Sequence, residues 1–243
     1  MHYRDLTVLD LGEKKLLFAT DSTGAIGSKE LDLIPISNEK LGIFLAQVPF
    51  MEILATGAIP SYVFLPICNE MHPTANGILK GVTHIMESLS MDPGSINGTT
   101  EENIPTRQTS AAILVMAVVE KDFTFPKAKA GEIIFSLGHP KVGHEVLADQ
   151  GEIMTLDHMR RLRAIEGVGD VLPVGSKGMA YEAKEMVNSH GLALEFFPHP
   201  KDLLEKSAGP ATVTLCSADV SLEDELKALG LPLRKIAKIK EKP

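Results

Sequence analysis

The sequence predicts an α+β protein of two domains, and three observations carry that prediction. The chain has 243 residues, more than one average domain and fewer than two large ones. Its apolar share of 44% and charged share of 23% are those of a globular protein with a sizeable core. Strand-like and helix-like stretches follow one another without the strict alternation that builds a doubly wound parallel sheet. A segment over 123–131, in which Pro126 and small residues accompany Lys127 and Lys129, marks the boundary. The expected domains are 1–125 and 126–243.

Taken in order, alternating apolar residues predict strands over 6–11 and 15–20, joined at Gly12. The second strand runs into a burst of small and polar residues, Asp21 to Gly27. Ser37 or Asn38 is positioned to cap a helix reaching about Thr56, where Gly57 stops it and Pro60 prevents its return. Pro49 lies inside that helix, lacks an amide donor and crowds the preceding turn, so a kink or break is expected there. A strand follows over 62–67. Ile78, Leu79, Val82, Ile85, Met86 and Leu89 then fall on one face of a helix over 74–91. A long buried strand is expected over 109–119.

The second half reads as strands over 133–137, 193–197, 211–215 and 232–239. Helices are expected over 143–149, 157–165, 179–189, 201–205 and 222–229.

Net charge is −8, and lysines and arginines cluster only in the short tail over 234–242, so no nucleic-acid groove is expected. The two cysteines, Cys68 and Cys216, are far apart, which supports neither a disulfide framework nor a zinc ribbon and suits a reducing, cytoplasmic setting. The first residues are polar and enter a strand pattern directly, with no apolar signal core. The longest apolar run, 111–119, is far short of the roughly 20 residues that cross a bilayer.

Four constellations could carry chemistry. Asp21, Ser22, Gly24, Gly27, Ser28 and Lys29, followed by Asp32, combine hard oxygens for a cation with backbone that can approach phosphate closely; a plain turn with solvated charges is the alternative. Glu52 falls on an apolar helical stripe if the helix survives Pro49, and burial there would require a partner; a kink would instead turn it to solvent. Asn97 to Asn103, with Thr99, Thr100, Glu101 and Glu102, offers oxygen ligands and hydroxyl donors, or is a hydrophilic turn. Gly175, Ser176 and Lys177 precede a helix whose first amides could bind an anion, or they simply shape a strand-to-helix turn. His139 and His144 lack metal spacing, and neither a P-loop nor a complete dinucleotide fingerprint occurs.

Together these loops resemble the PurM-like superfamily of aminoimidazole ribonucleotide synthetase, thiamin-monophosphate kinase, selenophosphate synthetase and the hydrogenase-maturation protein HypE. Asp21 to Lys29 is similar to its acidic, glycine-containing loop at a strand end. Glu52 to Pro60 is similar to its Asp-Ile-x-x-x-Gly-Ala-x-Pro helix end, with Glu in place of Asp, and Asn97 to Asn103 to its Gly-Gly-Glu/Asp-Thr loop. Within the superfamily the wording is most similar to the α-ribazole kinases.

The resemblance implies an N-terminal mixed sheet that pairs into a barrel with a second copy, a homodimer, and a shortened C-terminal α+β domain. It implies ATP and Mg2+ as cofactors and transfer of a phosphoryl group to a nucleoside-like small molecule, the ribose 5′-hydroxyl of α-ribazole in cobamide salvage. Asp21 and Lys29 would be catalytic, and Ser22, Gly24, Gly27, Ser28, Lys29, Thr99 and Thr100 would contact phosphates. Asp21, Asp32, Glu52, Glu101 and Glu102 would hold magnesium. Glu70, Asn103, Gly175, Ser176 and Lys177 would face the substrate. A cyclising synthetase and a non-catalytic nucleotide-binding subunit are the alternatives within the same superfamily.

Overall fold

The computed structural model describes residues 2–242. The chain forms two compact units, one built from the chain up to Ile53 with Ala58–Lys121, the other from Leu54–Gly57 with the chain from Asp122 onward.

The first unit contains strands β1 (His2–Tyr3), β2 (Leu6–Asp10), β3 (Lys14–Gly24), β4 (Ile26–Gly27), β5 (Ile34–Pro35), β6 (Pro60–Pro66), β7 (Ile96–Thr99) and β8 (Ser110–Glu120). Six of them make one mixed sheet in the order β1-β2-β3-β8-β6-β7, in which only β6 and β7 run parallel; β4 and β5 form a separate two-stranded parallel pair. Along β3 and β8 the paired residues Leu17 and Ala117, Ala19 and Val115 are buried on one face. The alternating face carries Phe64 at 42% and Val118 at 39% exposure. A sheet buried on one side only gives this period-two reading.

The same unit contains helices α1 (Asn38–Ala55) and α2 (Asn76–Ser88). Ser37 starts α1, its hydroxyl accepting the Lys40 amide at 3.2 Å. Contrary to the expected break, α1 continues through Pro49 to Ala55. Leu45, Phe50, Met51 and Ile53 around the proline are buried at 2% exposure or less. Packing of that apolar face outweighs one missing helical hydrogen bond. The two helices touch backbone to backbone, because a methyl group on Gly42 would overlap the Ile78 carbonyl and one on Gly81 the Glu39 carbonyl.

Two further expectations change. The helix expected over 74–91 is shorter, and a π-helical turn, Met71–Ala75, precedes α2. Strand β3 does not end at Thr20 but stays paired with β8 through Gly24 opposite Ser110. The long β8 offers four further partners, and the small side chains after Asp21 fit the pleat without resisting it.

The second unit is an antiparallel sheet of β9 (Ile133–Gly138), β10 (Val171–Pro173), β11 (Ala193–Phe196), β12 (Val213–Ala218) and β13 (Leu233–Lys240), ordered β10-β12-β9-β13-β11. Every residue of β9 and β12 is buried, so both faces are covered. Ile134, Val213, Leu215, Ile236 and Ile239 share a core with Met179, Ala183 and Met186 of α5 (Met179–Asn188). The remaining helices are α3 (His144–Leu147), α4 (Leu156–Ala164), α6 (Lys201–Glu205) and α7 (Glu223–Lys227). Strand β10, only three residues long, carries no periodic signal and was not expected. Cys216 lies buried in β12, whereas Cys68, just after β6, is exposed; burial pushes the Cys216 thiol up to about 12.

Candidate functional site

Apart from Glu52, the site candidates of the first unit lie on chain segments around one end of its sheet. Four chain segments meet there: the end of β3, the end of β6, the end of β7 and the start of β8. Gly24 pairs with Ser110, Cys68 donates its amide to the Ser110 carbonyl at 2.9 Å, and Ile67 donates to the Thr99 carbonyl at 2.9 Å.

Asn69 ties these segments together. It is fully buried, donates to Thr106 Oγ1 at 2.6 Å and to the Gln108 carbonyl at 2.8 Å, and accepts the Ser110 amide at 2.8 Å. Its carbonyl also receives the Glu101 amide at 3.0 Å. A buried amide side chain with this many partners fixes loop geometry, since any one left unmade would cost the full desolvation of a polar group.

The loop leaving β3 is braced in the same manner. The Ala25 amide donates to the Thr109 carbonyl, and the Ala25 carbonyl accepts from Leu33 and Ile34, closing the loop on itself. Asp32 accepts the Thr109 amide at 2.8 Å, the Thr109 hydroxyl at 2.7 Å and the Lys29 amide at 2.8 Å. Its carboxylate therefore braces the loop from within. Gly27, with φ of +152°, lies so close that a side chain would overlap Thr109 and crowd Asp32. Ser28 donates to Asn38 Oδ1 at 3.0 Å, which attaches the loop to the start of α1.

Lys29 reaches Glu70, with Nζ at 2.7 Å from Oε2, and both side chains are largely buried, at 16% and 29% exposure. The other carboxylate oxygen, Oε1, accepts the hydroxyl of buried Thr74. Burial alone would raise the Glu70 pKa, but the bonds from Lys29 and Thr74 outweigh it and hold the carboxyl below its usual range.

Asp21 differs. It pairs with Ile113 inside the sheet and is half-buried, so burial raises its pKa, partly offset by the Ser22 amide at 2.8 Å. No cation is paired with it among the described residues. Ser22 projects to the other face of the sheet, beside an open pocket of about 460 Å³ lined also by Thr20, Phe64, Pro66, Ala112 and Leu114.

The loop after β7 organises its own acids. Glu101 accepts the amides of Asn103 at 2.7 Å and Ile104 at 3.2 Å. Glu102 accepts the Met71 amide at 2.7 Å and the Thr100 hydroxyl at 2.8 Å, which draws the loop toward Glu70. Glu52, on the unbroken α1, keeps one carboxylate oxygen, Oε2, out of solvent.

Among the described residues no group of three or more His, Cys, Asp and Glu side chains could hold a metal ion. The five acids expected to form a magnesium cage thus do not make one by themselves. Asp21 still fits magnesium, because a desolvated carboxylate without a cation is the donor that a hard ion compensates. Magnesium commonly takes one or two protein carboxylates and completes its shell with phosphate and water.

In the second unit, Gly175, Ser176 and Lys177 join β10 to α5. Main-chain bonds set this turn: Gly178 donates to Gly175 at 3.4 Å and Ala208 donates to Gly175 at 3.2 Å. Lys177 lies 4.1 Å from the centre of the Tyr181 ring. Sequence reasoning missed Asn69, Thr109 and Thr74. Asn69 and Thr74 stand in an Asn-Glu-Met-x-Pro-Thr stretch that the resemblance covers without a role for either, and Thr109 is a polar residue directly before β8.

No protein-family model and no curated protein matches the sequence. Solved structures do match in fold. Thiamine monophosphate kinase from Aquifex aeolicus aligns with a TM-score of 0.67 at 15% identity, covering 98% of this chain and 89% of that one. Hydrogenase-maturation protein HypE from E. coli gives 0.66 at 16%, covering 96% and 84%. PurL from T. maritima, complexed with AMPPCP, gives 0.67 at 15%, covering 99% of this chain and 43% of its own longer chain. A further thiamine monophosphate kinase structure from the Aquifex enzyme holds AMPPCP and TMP. The chain therefore has the PurM-like α+β fold.

Proposed function

We propose that the protein is an ATP- and magnesium-dependent kinase that phosphorylates a small nucleoside-like molecule, with the ribose 5′-hydroxyl of α-ribazole as the acceptor. The observation that carries this reading is the braced loop from Asp21 to Asp32. It offers backbone amides, a lysine and an uncompensated carboxylate at one end of the sheet, in a fold shared with nucleotide-bound proteins. The α-ribazole assignment rests on the resemblance of the loop wording to that kinase family.

Phosphoryl transfer passes through a loose transition state, so the protein's task is alignment and charge neutralisation rather than covalent help. The loop at Gly24, Gly27 and Ser28 and the ammonium of Lys29 would meet phosphate oxygens, the Ala25 amide being already bound to the Thr109 carbonyl. Asp21 would hold magnesium, with one of Glu101 or Glu102 as a second carboxylate and phosphate and water completing the shell. Bound magnesium would supply the positive charge that the triphosphate oxygens need. Thr99 and Thr100 would contact phosphates, and Asn103 would face the acceptor.

The active species in this reading is a cytoplasmic homodimer. The open face of the sheet, with Phe64 and Val118 exposed, supports pairing with a second copy. Among the described residues no helix is long and apolar enough to cross a membrane.

The test is incubation of the purified protein with magnesium-ATP and α-ribazole, followed by mass analysis. A new monophosphate supports the kinase. ADP and inorganic phosphate without a phosphorylated product point to a cyclising synthetase, and binding without turnover points to a nucleotide-binding subunit.

A further inference from the structure

Lys29 is the cation best placed to meet a triphosphate in the braced loop, yet it is already taken. Its ammonium lies 2.7 Å from Glu70 Oε2. Glu70 cannot easily swing away, because Thr74, at 1% exposure, donates to its other oxygen, and the Glu70 carbonyl accepts the Ala75 amide at 3.0 Å as the π-helical turn begins. The Asp32 carboxylate is fixed beside the Lys29 amide, and Asp21 adds a further carboxylate without a paired cation. The next basic side chain along the loop contacts, Arg107, is paired with Glu30. The loop thus presents paired cations and surplus carboxylate.

We propose that Glu70 is a specificity-determining residue which, by neutralising Lys29, makes the site accept a triphosphate with its divalent cation and reject the metal-free, more highly charged form. This inference rests on the nucleotide-binding reading above. Bare triphosphate meets a net negative surface and must also displace Glu70 from Lys29. The metal-bound form brings its own compensation to Asp21 and carries less charge toward Glu70. Like charges a few ångströms apart at a half-buried site change affinity steeply, whereas a screened surface charge does not.

The experiment measures the dissociation constant of the non-hydrolysable analogue AMPPCP with magnesium and with EDTA, for the wild type, Glu70→Gln, Glu70→Asp and Thr74→Val. The wild type should bind much more weakly in EDTA. Glu70→Gln removes the charge and keeps the shape, so the EDTA-to-magnesium ratio should fall about tenfold, mainly through tighter binding in EDTA. Glu70→Asp keeps the charge and should hold the ratio within about threefold of wild type, which separates charge from mere structure. Thr74→Val, which frees Glu70 from its anchor, should lower the ratio in the same direction as Glu70→Gln and serves if that variant folds poorly.

An unchanged ratio in a folded Glu70→Gln protein that still binds magnesium-AMPPCP overturns the role of Glu70 and leaves nucleotide binding intact. Equal effects of Gln and Asp overturn it too. A wild type that binds AMPPCP in neither condition overturns both this inference and the proposed function.

Discussion

The loop over 21–36 and the loop over 174–178 begin from similar chemistry, glycines beside a serine and a lysine at a strand end, and they are built in opposite ways. The first is held by side chains from distant parts of the chain: Asp32 on Thr109, Ser28 on Asn38, Lys29 on Glu70. The second is held by main-chain bonds, among them those from Ala208 to Gly175 and from Val174 to Val213, and leaves Ser176 and Lys177 exposed. Composition alone marks both as phosphate candidates. Side-chain bracing is what separates the two, and a shape fixed in advance lowers the entropy that a ligand's binding would cost.

Substitutions can break that contrast. Gly27→Val drives a branched side chain into Thr109 and Asp32 at a backbone angle that favours glycine, so nucleotide affinity should fall by a factor on the order of 100 and stability by about 2 kcal/mol or more. Calorimetric binding and urea denaturation would show both. Asp32→Ala leaves the Thr109 amide and hydroxyl without their acceptor and should cost about 2 kcal/mol in the same denaturation assay. If either variant binds nucleotide as the wild type does, the braced loop is not the binding element.

The open sheet face gives a third test. Phe64→Glu places a charge in the exposed apolar surface and should convert a dimer to monomer in light scattering, with little change in the monomer's own melting curve. Asp21→Asn addresses the electrostatics of the first loop and has a definite sign. Burial raises the Asp21 pKa, so the charged carboxylate opposes folding above the folded-state value, and that penalty disappears as pH falls below the unfolded value. The variant should therefore melt on the order of 2 °C higher at pH 7, gain nothing near pH 3, and lose phosphoryl transfer. Glu70 has the opposite sign: its lowered pKa adds stability at neutral pH that is lost as pH falls through its folded value. The smallest effect is expected in the second loop. Ser176→Ala and Lys177→Ala should each change stability by less than about 0.5 kcal/mol and leave AMPPCP affinity unaltered.

The sequence showed the regular elements because their periodicity is physical. One face of α2 and the alternating β8 bury apolar side chains at spacings fixed by helix and strand geometry. It concealed β1, β4, β5, β7 and β10, whose two to four residues show little period, although β11, also of four, was legible. It concealed the uninterrupted course of α1 because the burial of Phe50 and Met51 outweighs a local rule about Pro49. At the site, the acids were visible as residue types, but their tasks were not. Whether a carboxylate braces a loop, as Asp32 does, pairs with a lysine, as Glu70 does, or stays uncompensated, as Asp21 does, depends on partners up to 77 positions away.

The unequal settings of the two thiols have a practical consequence. Cys216 is sealed in β12 with its thiol pushed up to about 12, so it has almost no thiolate at neutral pH, while Cys68 is exposed immediately beside Asn69. A maleimide dye would attach at one place in the native protein, next to the residue that knots the four segments together. Without any mutagenesis, fluorescence from that dye would report how tightly the knot holds when nucleotide is added.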